Sequence, residues 1–306
     1  MDFPFVLRPF ALYQAATVAE AADVLAHEGD DAALYAGGTE LLLVLKEGLL
    51  RVKSLVDIKR IPGLSEVRGD DGHLTIGATA THRAVERSDV VRTRAPLVAG
   101  VARHVANVRV RNVGTVGGNL AFADPHSDLA TLFLAFDAVV RLASAAAHRE
   151  VPLDGFVRGP YETAREPHEV LEGVTLRVWP EGTSGAYVKF GVHERPTLGV
   201  AVALMRDDND AVTDARVAVG CVTPRPQRAT AAEARLRGWT SSDIARHADE
   251  AARLAIQDLE PIGDLHGSAE YKREMSRVFV RRALTVAAAR AAGHESHERY
   301  PHTVIV

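Results

Sequence analysis

Cysteine is almost absent from this chain of 306 residues, where Cys221 stands alone. It cannot close an internal disulfide, and a single thiolate cannot hold an iron–sulfur cluster. Charge of one sign is also missing. The formal charge is −4, and Lys and Arg are scattered, so there is no electrostatic footprint for nucleic acid or anionic membranes. No apolar run approaches the ~18 residues of a membrane span. The opening MDFPFVLRPFALYQ has an acid and prolines where a secretory signal wants a basic start and an apolar stretch. A cytoplasmic protein is the expectation. What is present is an ordinary globular composition, 47% hydrophobic and 25% charged, with length for two or three domains.

Periodicity organises the chain. Thr17 to Gly29 has apolar residues at helical spacing, an N-cap threonine and a glycine stop. AALYAGG reads as a strand and turn, ELLLVLKEG as a helix closed by Gly48, and SLVDI as another strand, which makes residues 1–58 one small α/β unit. LSEVRGDDGHLTIGA alternates around a turn signal like a hairpin, THRAVERS and PLVAGVARHVANV read as helices, and the apolar DLATLFLAFDAVVRLAS follows. Residues 59–178 form a second α/β unit on this reading. GAYVKFGV, LGVAVALMRDD and VTDARVAVGCV then predict an antiparallel sheet covered by two Ala/Arg-rich helices within 179–292, and 293–306 reads as a tail. No internal repeat is evident.

Two stretches carry adjacent glycines at a strand-to-helix or loop-to-helix junction: LYAGGTELLLVLKEG, from Leu34, and GTVGGNLAFADPHSD, from Gly114. Glycine pairs can simply supply positive φ for a tight turn, or they can let bare backbone N–H groups approach a phosphate at a helix start. Gly37, Gly38 and Thr39 offer donors from one loop, and Thr115, Gly117, Gly118 and Asn119 from the other. A charge-assisted hydrogen bond contributes only ~1.5–3 kcal/mol, so a diphosphate needs several converging donors. Neither loop is G-x-G-x-x-G followed by an acid ~20 residues on, and no G-x-x-x-x-G-K-[ST] occurs, which argues against a dinucleotide-binding Rossmann fold and a P-loop.

AGGTEL and TVGGN…DPHSD, together with YVKFG and EYKREMSRVFVRRAL, resemble the FAD-binding (medium) subunit of the molybdenum hydroxylases, similar to the medium chain of carbon monoxide dehydrogenases and the flavin domain of xanthine dehydrogenases. The resemblance covers nearly the whole chain. It implies an α+β protein: a vanillyl-alcohol-oxidase (PCMH-type) FAD-binding fold of two α/β subdomains plus a C-terminal antiparallel sheet with helices. It implies non-covalent FAD, with the molybdenum cofactor and [2Fe–2S] clusters only in a large and a small partner subunit, in a dimer of heterotrimers. Electrons from the clusters would pass through FAD to NAD, a quinone or oxygen, with membrane association only through a quinone acceptor.

The resemblance also assigns residues. Leu34, Tyr35, Ala36, Gly37, Gly38, Thr39, Glu40 and Leu41 would bracket the diphosphate from the first loop, and Thr115, Val116, Gly117, Gly118 and Asn119 from the second. Asp128 would hydrogen-bond the cofactor's sugar-like chain; the alternative is an N-cap for the following helix. Leu171 would pack near the adenine or ring system, or serve only as a core leucine. Lys189 matches a lysine near the flavin, where a cation favours the anionic reduced ring; otherwise it is a strand lysine facing water. Gly38→Val and Gly117→Val are expected to abolish FAD retention by blocking backbone approach. Glu40 stands where carbon monoxide dehydrogenases have Ser, and is expected to point away from the diphosphate. Pro196, Thr197 and Leu198 stand where some relatives place a tyrosine against the flavin. His294 and His297 lack the H-E-x-x-H spacing of a metal site and read as a solvated run. Two other readings stay open: a self-contained flavoenzyme oxidising a small organic donor, and a flavin-free scaffold.

Overall fold

The computed structural model describes residues 7–191, 195–294 and 299–306. A three-stranded parallel sheet comes first, with Ser54–Asp57 between Ala11–Gln14 and Ala32–Tyr35. The helix Val18–Glu28 crosses between strands; the Thr17 hydroxyl accepts from Glu20 N–H, and Gly29, at φ +56°, ends it. Parallel neighbours need such a crossover.

A five-stranded antiparallel sheet follows, in the order Val67–Asp70, His73–Gly77, Val170–Arg177, Val139–Ala143, His148–Pro152. Its first two strands are the hairpin read from the sequence, with Asp71 and Gly72 both at positive φ, as a tight primed turn requires. Between its strands the chain makes short helices, including Val116–Phe122 and the fully buried Asp128–Leu134.

The C-terminal sheet runs Gln227–Arg228, Val212–Gly220, Leu198–Arg206, Ser184–Phe190, Thr303–Ile305. Alternation along its strands covers both faces. Ala186, Val188, Val200, Val202, Val217 and Val219 pack against the helices Ser241–Ile256 and Ala269–Ala291, while Tyr187, Ala201 and Ala218 belong to the core of the preceding unit. The tail reading is corrected here. Thr303–Ile305 pairs antiparallel with Val188–Phe190, and Tyr187 and Val306 exchange both backbone hydrogen bonds. TVI is a β-branched triplet that finds an open sheet edge. No helix among the described residues is long and apolar enough to cross a membrane.

Candidate cofactor site

Parallel strands open their C-terminal ends where the chain turns into helices, and both glycine loops meet at such a place. They line a cavity of about 670 Å³ together with Asp128, Leu171, Arg195 and Pro196, within the range of small-molecule sites. The loops touch. A β-carbon on Gly37 would stand 2.8 Å from the Gly114 Cα, and one on Gly114 would meet the Thr39 hydroxyl at 3.4 Å.

The loops differ in what they can donate. From Ala36 to Leu41 no backbone N–H donates to another described residue, although the loop leads into the helix Leu41–Lys46. Such a run of unmatched donors at a cavity wall needs water or an anion. In the second loop the backbone donors are already used: Val116 N–H goes to the Ala80 carbonyl, Gly117 to Ala78, Gly118 to the Thr115 hydroxyl and Asn119 to the Thr115 carbonyl. What remains there is side-chain chemistry. Asn119 accepts from the Ser127 hydroxyl at 2.7 Å, which leaves its amide NH2 without a partner among the described residues.

Charged groups close the rim. Arg195 reaches Glu40 of the first loop at 3.0 Å and Asp124 beyond the second at 3.1 Å. His126 meets the Pro196 carbonyl at 2.7 Å and Asp264 at 3.1 Å, and Asp264 accepts from Lys272 at 2.6 Å. Beneath the rim lies the Asp128 carboxylate, which accepts from the Tyr187 hydroxyl at 2.9 Å and from the Lys189 ammonium at 2.6 Å. Burial pushes Asp128 upward in pKa while the Lys189 charge pulls against it. His82, also on the wall, has a buried Nδ1 without a partner among the described residues, and burial, aided by the Arg111 charge, lowers its pKa to about 4.

The fold and this geometry match known proteins. Residues 8–179 match the FAD binding domain in molybdopterin dehydrogenase, and residues 192–287 the CO dehydrogenase flavoprotein C-terminal domain. The chain belongs to the FAD-binding subunits of the molybdenum hydroxylases. It is 36% identical to the carbon monoxide dehydrogenase medium chain of Hydrogenophaga pseudoflava, over 92% of this chain and 98% of that one. It is 30% identical to a putative xanthine dehydrogenase FAD-binding subunit of Escherichia coli K12, over 93% and 98%. The solved carbon monoxide dehydrogenase from Hydrogenophaga pseudoflava that lacks the Mo-pyranopterin moiety superposes with a TM-score of 0.87 at 36% identity, covering 93% of this chain and 99% of that one. The α+β fold expected from the sequence is thereby confirmed.

As a member of the molybdenum hydroxylase flavoproteins, the chain is an oxidoreductase subunit with an FAD-binding domain, and the molybdenum and iron–sulfur centres belong to other subunits in its homologues. The residues present fit FAD: unmatched N–H groups in a row at the wall of a cavity of adequate size. Of the residues singled out in the sequence, Leu34, Ala36 through Leu41, Thr115, Gly117, Gly118, Asn119, Asp128 and Leu171 line the cavity.

Three do not. Tyr35 packs under the Lys59 ammonium, 3.7 Å from its ring centroid, Val116 is a core residue, and Lys189 lies behind Asp128. Lys189 does not face water either, being 8% exposed. Asp128 is not the N-cap, a role taken by the Ser127 hydroxyl accepting from Ala130 N–H. Glu40 does not leave the site: it lines the cavity and pairs with Arg195. Of the three residues at the tyrosine position, Pro196 lines the cavity while Thr197 and Leu198 are buried.

The reason given for the glycines also changes. A β-carbon on Gly38 would strike the Tyr35 ring at 2.6 Å, and one on Gly117 the Ala78 backbone at 2.7 Å. These glycines serve backbone packing and, at Gly38 with φ +70°, backbone shape. Sequence reasoning missed His82, Asp124, His126, Arg165 and Arg195 on the wall. Two of them, Asp124 and His126, sit inside the DPHSD motif and were open to notice. Among the described residues no group of three or more side chains could hold a metal ion; His294 only ends a helix by donating its backbone N–H to the Ala289 carbonyl, and His297 lies outside the described residues.

Proposed function

We propose that this chain is the flavin-carrying electron-transfer subunit of a molybdenum hydroxylase complex. On this reading it takes electrons from the [2Fe–2S] clusters of a small partner, fed by a molybdenum-bearing large partner, and delivers them to NAD, a quinone or oxygen. One observation carries the site assignment: the unmatched N–H groups from Ala36 to Leu41 at the cavity wall. When bound, FAD supplies the capacity to accept electrons singly and release them singly or as a hydride. The chain's own residues supply the rest. The first loop holds the diphosphate through backbone donors, and the Asn119 amide and the Thr115 hydroxyl add contacts from the second. Arg195 neutralises Glu40 and Asp124, so that two carboxylates do not repel a diphosphate. Asp128, fixed by Tyr187 and Lys189, presents an oriented acceptor to the sugar-like chain. The assembly as a dimer of heterotrimers in the cytoplasm belongs to the same proposal.

The test is to purify the chain, record its visible spectrum and release the chromophore by heat. Stoichiometric FAD supports the reading, and co-purification with an iron–sulfur and a molybdenum subunit extends it. A colourless chain that cannot be reconstituted with FAD overturns it.

A further inference from the structure

Beside the Asp128–Lys189 pair lies a second basin, of about 510 Å³, which shares Ala106 with the wall of the cofactor cavity. It is walled by the loop after the helix Pro96–Ala102, by Arg111, by the end of the strand Ser184–Phe190 and by the added strand Thr303–Ile305. Its lining has a one-sided charge. Arg103, Arg111 and Lys189 are cations, and no carboxylate is present among the lining residues. In a chain of net charge −4 this is a local concentration of positive charge.

Lys189 is balanced from behind by Asp128 at 2.6 Å, but neither Arg103 nor Arg111 forms an ion pair with a described residue. Arg111 is held in place, its Nη1 donating to the Val105 and Ala106 carbonyls at 3.0 and 2.8 Å. Anchoring by carbonyls fixes a guanidinium without spending its charge, and the open basin gathers that charge on one face.

We propose that this basin binds a small oxyanion of the phosphate class, free or as the phosphate of a nucleotide. Guanidinium groups bind such oxyanions bidentately, and two of them at one basin suit a tetrahedral oxyanion or a diphosphate. The site is separate from the cofactor loops yet joined to them. The Lys189 ammonium, which donates to the His104 carbonyl at 3.1 Å and to Asp128 at 2.6 Å, stands between the basin and the carboxylate on the cofactor-cavity wall.

The experiment is calorimetric titration of the full, FAD-loaded chain with pyrophosphate, inorganic phosphate and ADP, in wild type, Arg103→Glu and Arg103→Lys. Arg103 is exposed and its side chain forms no hydrogen bond or ion pair with a described residue, so its replacement is expected to leave the fold intact. Wild type is expected to bind pyrophosphate, Arg103→Glu to bind it at least about tenfold more weakly, in line with loss of a charge-assisted contact, and Arg103→Lys to recover part of the loss. Higher salt weakens the binding. ADP binding tighter than pyrophosphate identifies a nucleotide, and equal or weaker binding a free oxyanion; both support the site. No binding in wild type, or binding that Arg103→Glu leaves unchanged, overturns it. The FAD assignment fails separately: flavin content is read from the visible spectrum, and pyrophosphate entering an empty cofactor cavity would be insensitive to Arg103.

Discussion

Gly37 and Val113 approach so closely that a β-carbon on Gly37 would stand 2.3 Å from the Val113 carbonyl oxygen. The first glycine loop is thus wedged against the turn that precedes the second, and the backbone, which cannot swing aside like a side-chain end, sets the spacing of the cofactor cavity. Gly37→Ala must force the loops apart. The expected result is a loss of about 1–3 kcal/mol in stability, typical of overpacking, with little flavin retained after gel filtration. Gly48→Ala is the control: it has φ +70° and nothing within 4 Å of its β-carbon, so it should cost about 1 kcal/mol of backbone strain and keep its flavin. Full flavin content in Gly37→Ala would show that the spacing is not needed.

The Asp128–Lys189 pair joins the second α/β unit to the C-terminal sheet, and its side chains are 4% and 10% exposed. Removing one partner of a buried pair leaves an uncompensated charge. Lys189→Met and Asp128→Asn should therefore each destabilise the flavin-free chain by about 3–5 kcal/mol, and the double variant by clearly less than the sum. Urea unfolding of the four chains measures this. Strict additivity would mean that the contact does not couple the two residues.

How much of this was legible in the sequence follows from the range of the interactions. The hairpin at Asp71–Gly72, the Thr17 cap and the Gly29 stop are set by neighbours in the chain, so local pattern found them. The alternation in YVKFG revealed a strand, but not that Tyr187 and Lys189, two residues apart on one face, both meet Asp128 from a different unit. Arg195 is similar. Nothing local in ERPT says that it bridges Glu40 and Asp124. The glycine motifs marked the site correctly in position, yet their donor roles depended on which N–H groups the surrounding backbone had already consumed. Ala78 and Ala80, distant in sequence, consume two of the second loop's.

Arg195 sits about half exposed between two carboxylates at the cavity rim. The half-exposed pair with Glu40 is worth only ~0–1 kcal/mol, but Asp124 is 9% exposed and would lose a charged partner, so Arg195→Gln should cost about 1–3 kcal/mol of stability. Flavin affinity should fall about tenfold, because Glu40 and Asp124 would then face the diphosphate unneutralised. Glu40→Gln in the same chain should restore part of the loss. Fluorescence titration of apoprotein with FAD gives both constants, and an unchanged affinity in Arg195→Gln would remove Arg195 from the site.

His82 gives a pH signature. Its native pKa lies at about 4, below the ordinary 6.5, mainly because burial disfavours the imidazolium and secondarily because the Arg111 charge opposes it. The sign follows from proton uptake. Below pH 6.5 the unfolded chain takes up a proton that the folded chain refuses until about pH 4, so stability falls as pH drops through that window. Between pH 6.5 and 5 this single group should cost about 2 kcal/mol. Other groups titrate too, so the difference between two chains is the measurement: urea unfolding of wild type and His82→Gln at pH 7, 6 and 5. His82→Gln should start less stable at pH 7, since it disturbs a packed wall, but lose less on acidification. Arg111→Gln, which removes the opposing charge, should lessen the wild-type loss in part. Parallel pH curves for wild type and His82→Gln would mean that His82 takes its proton as readily in the folded chain as in the unfolded one.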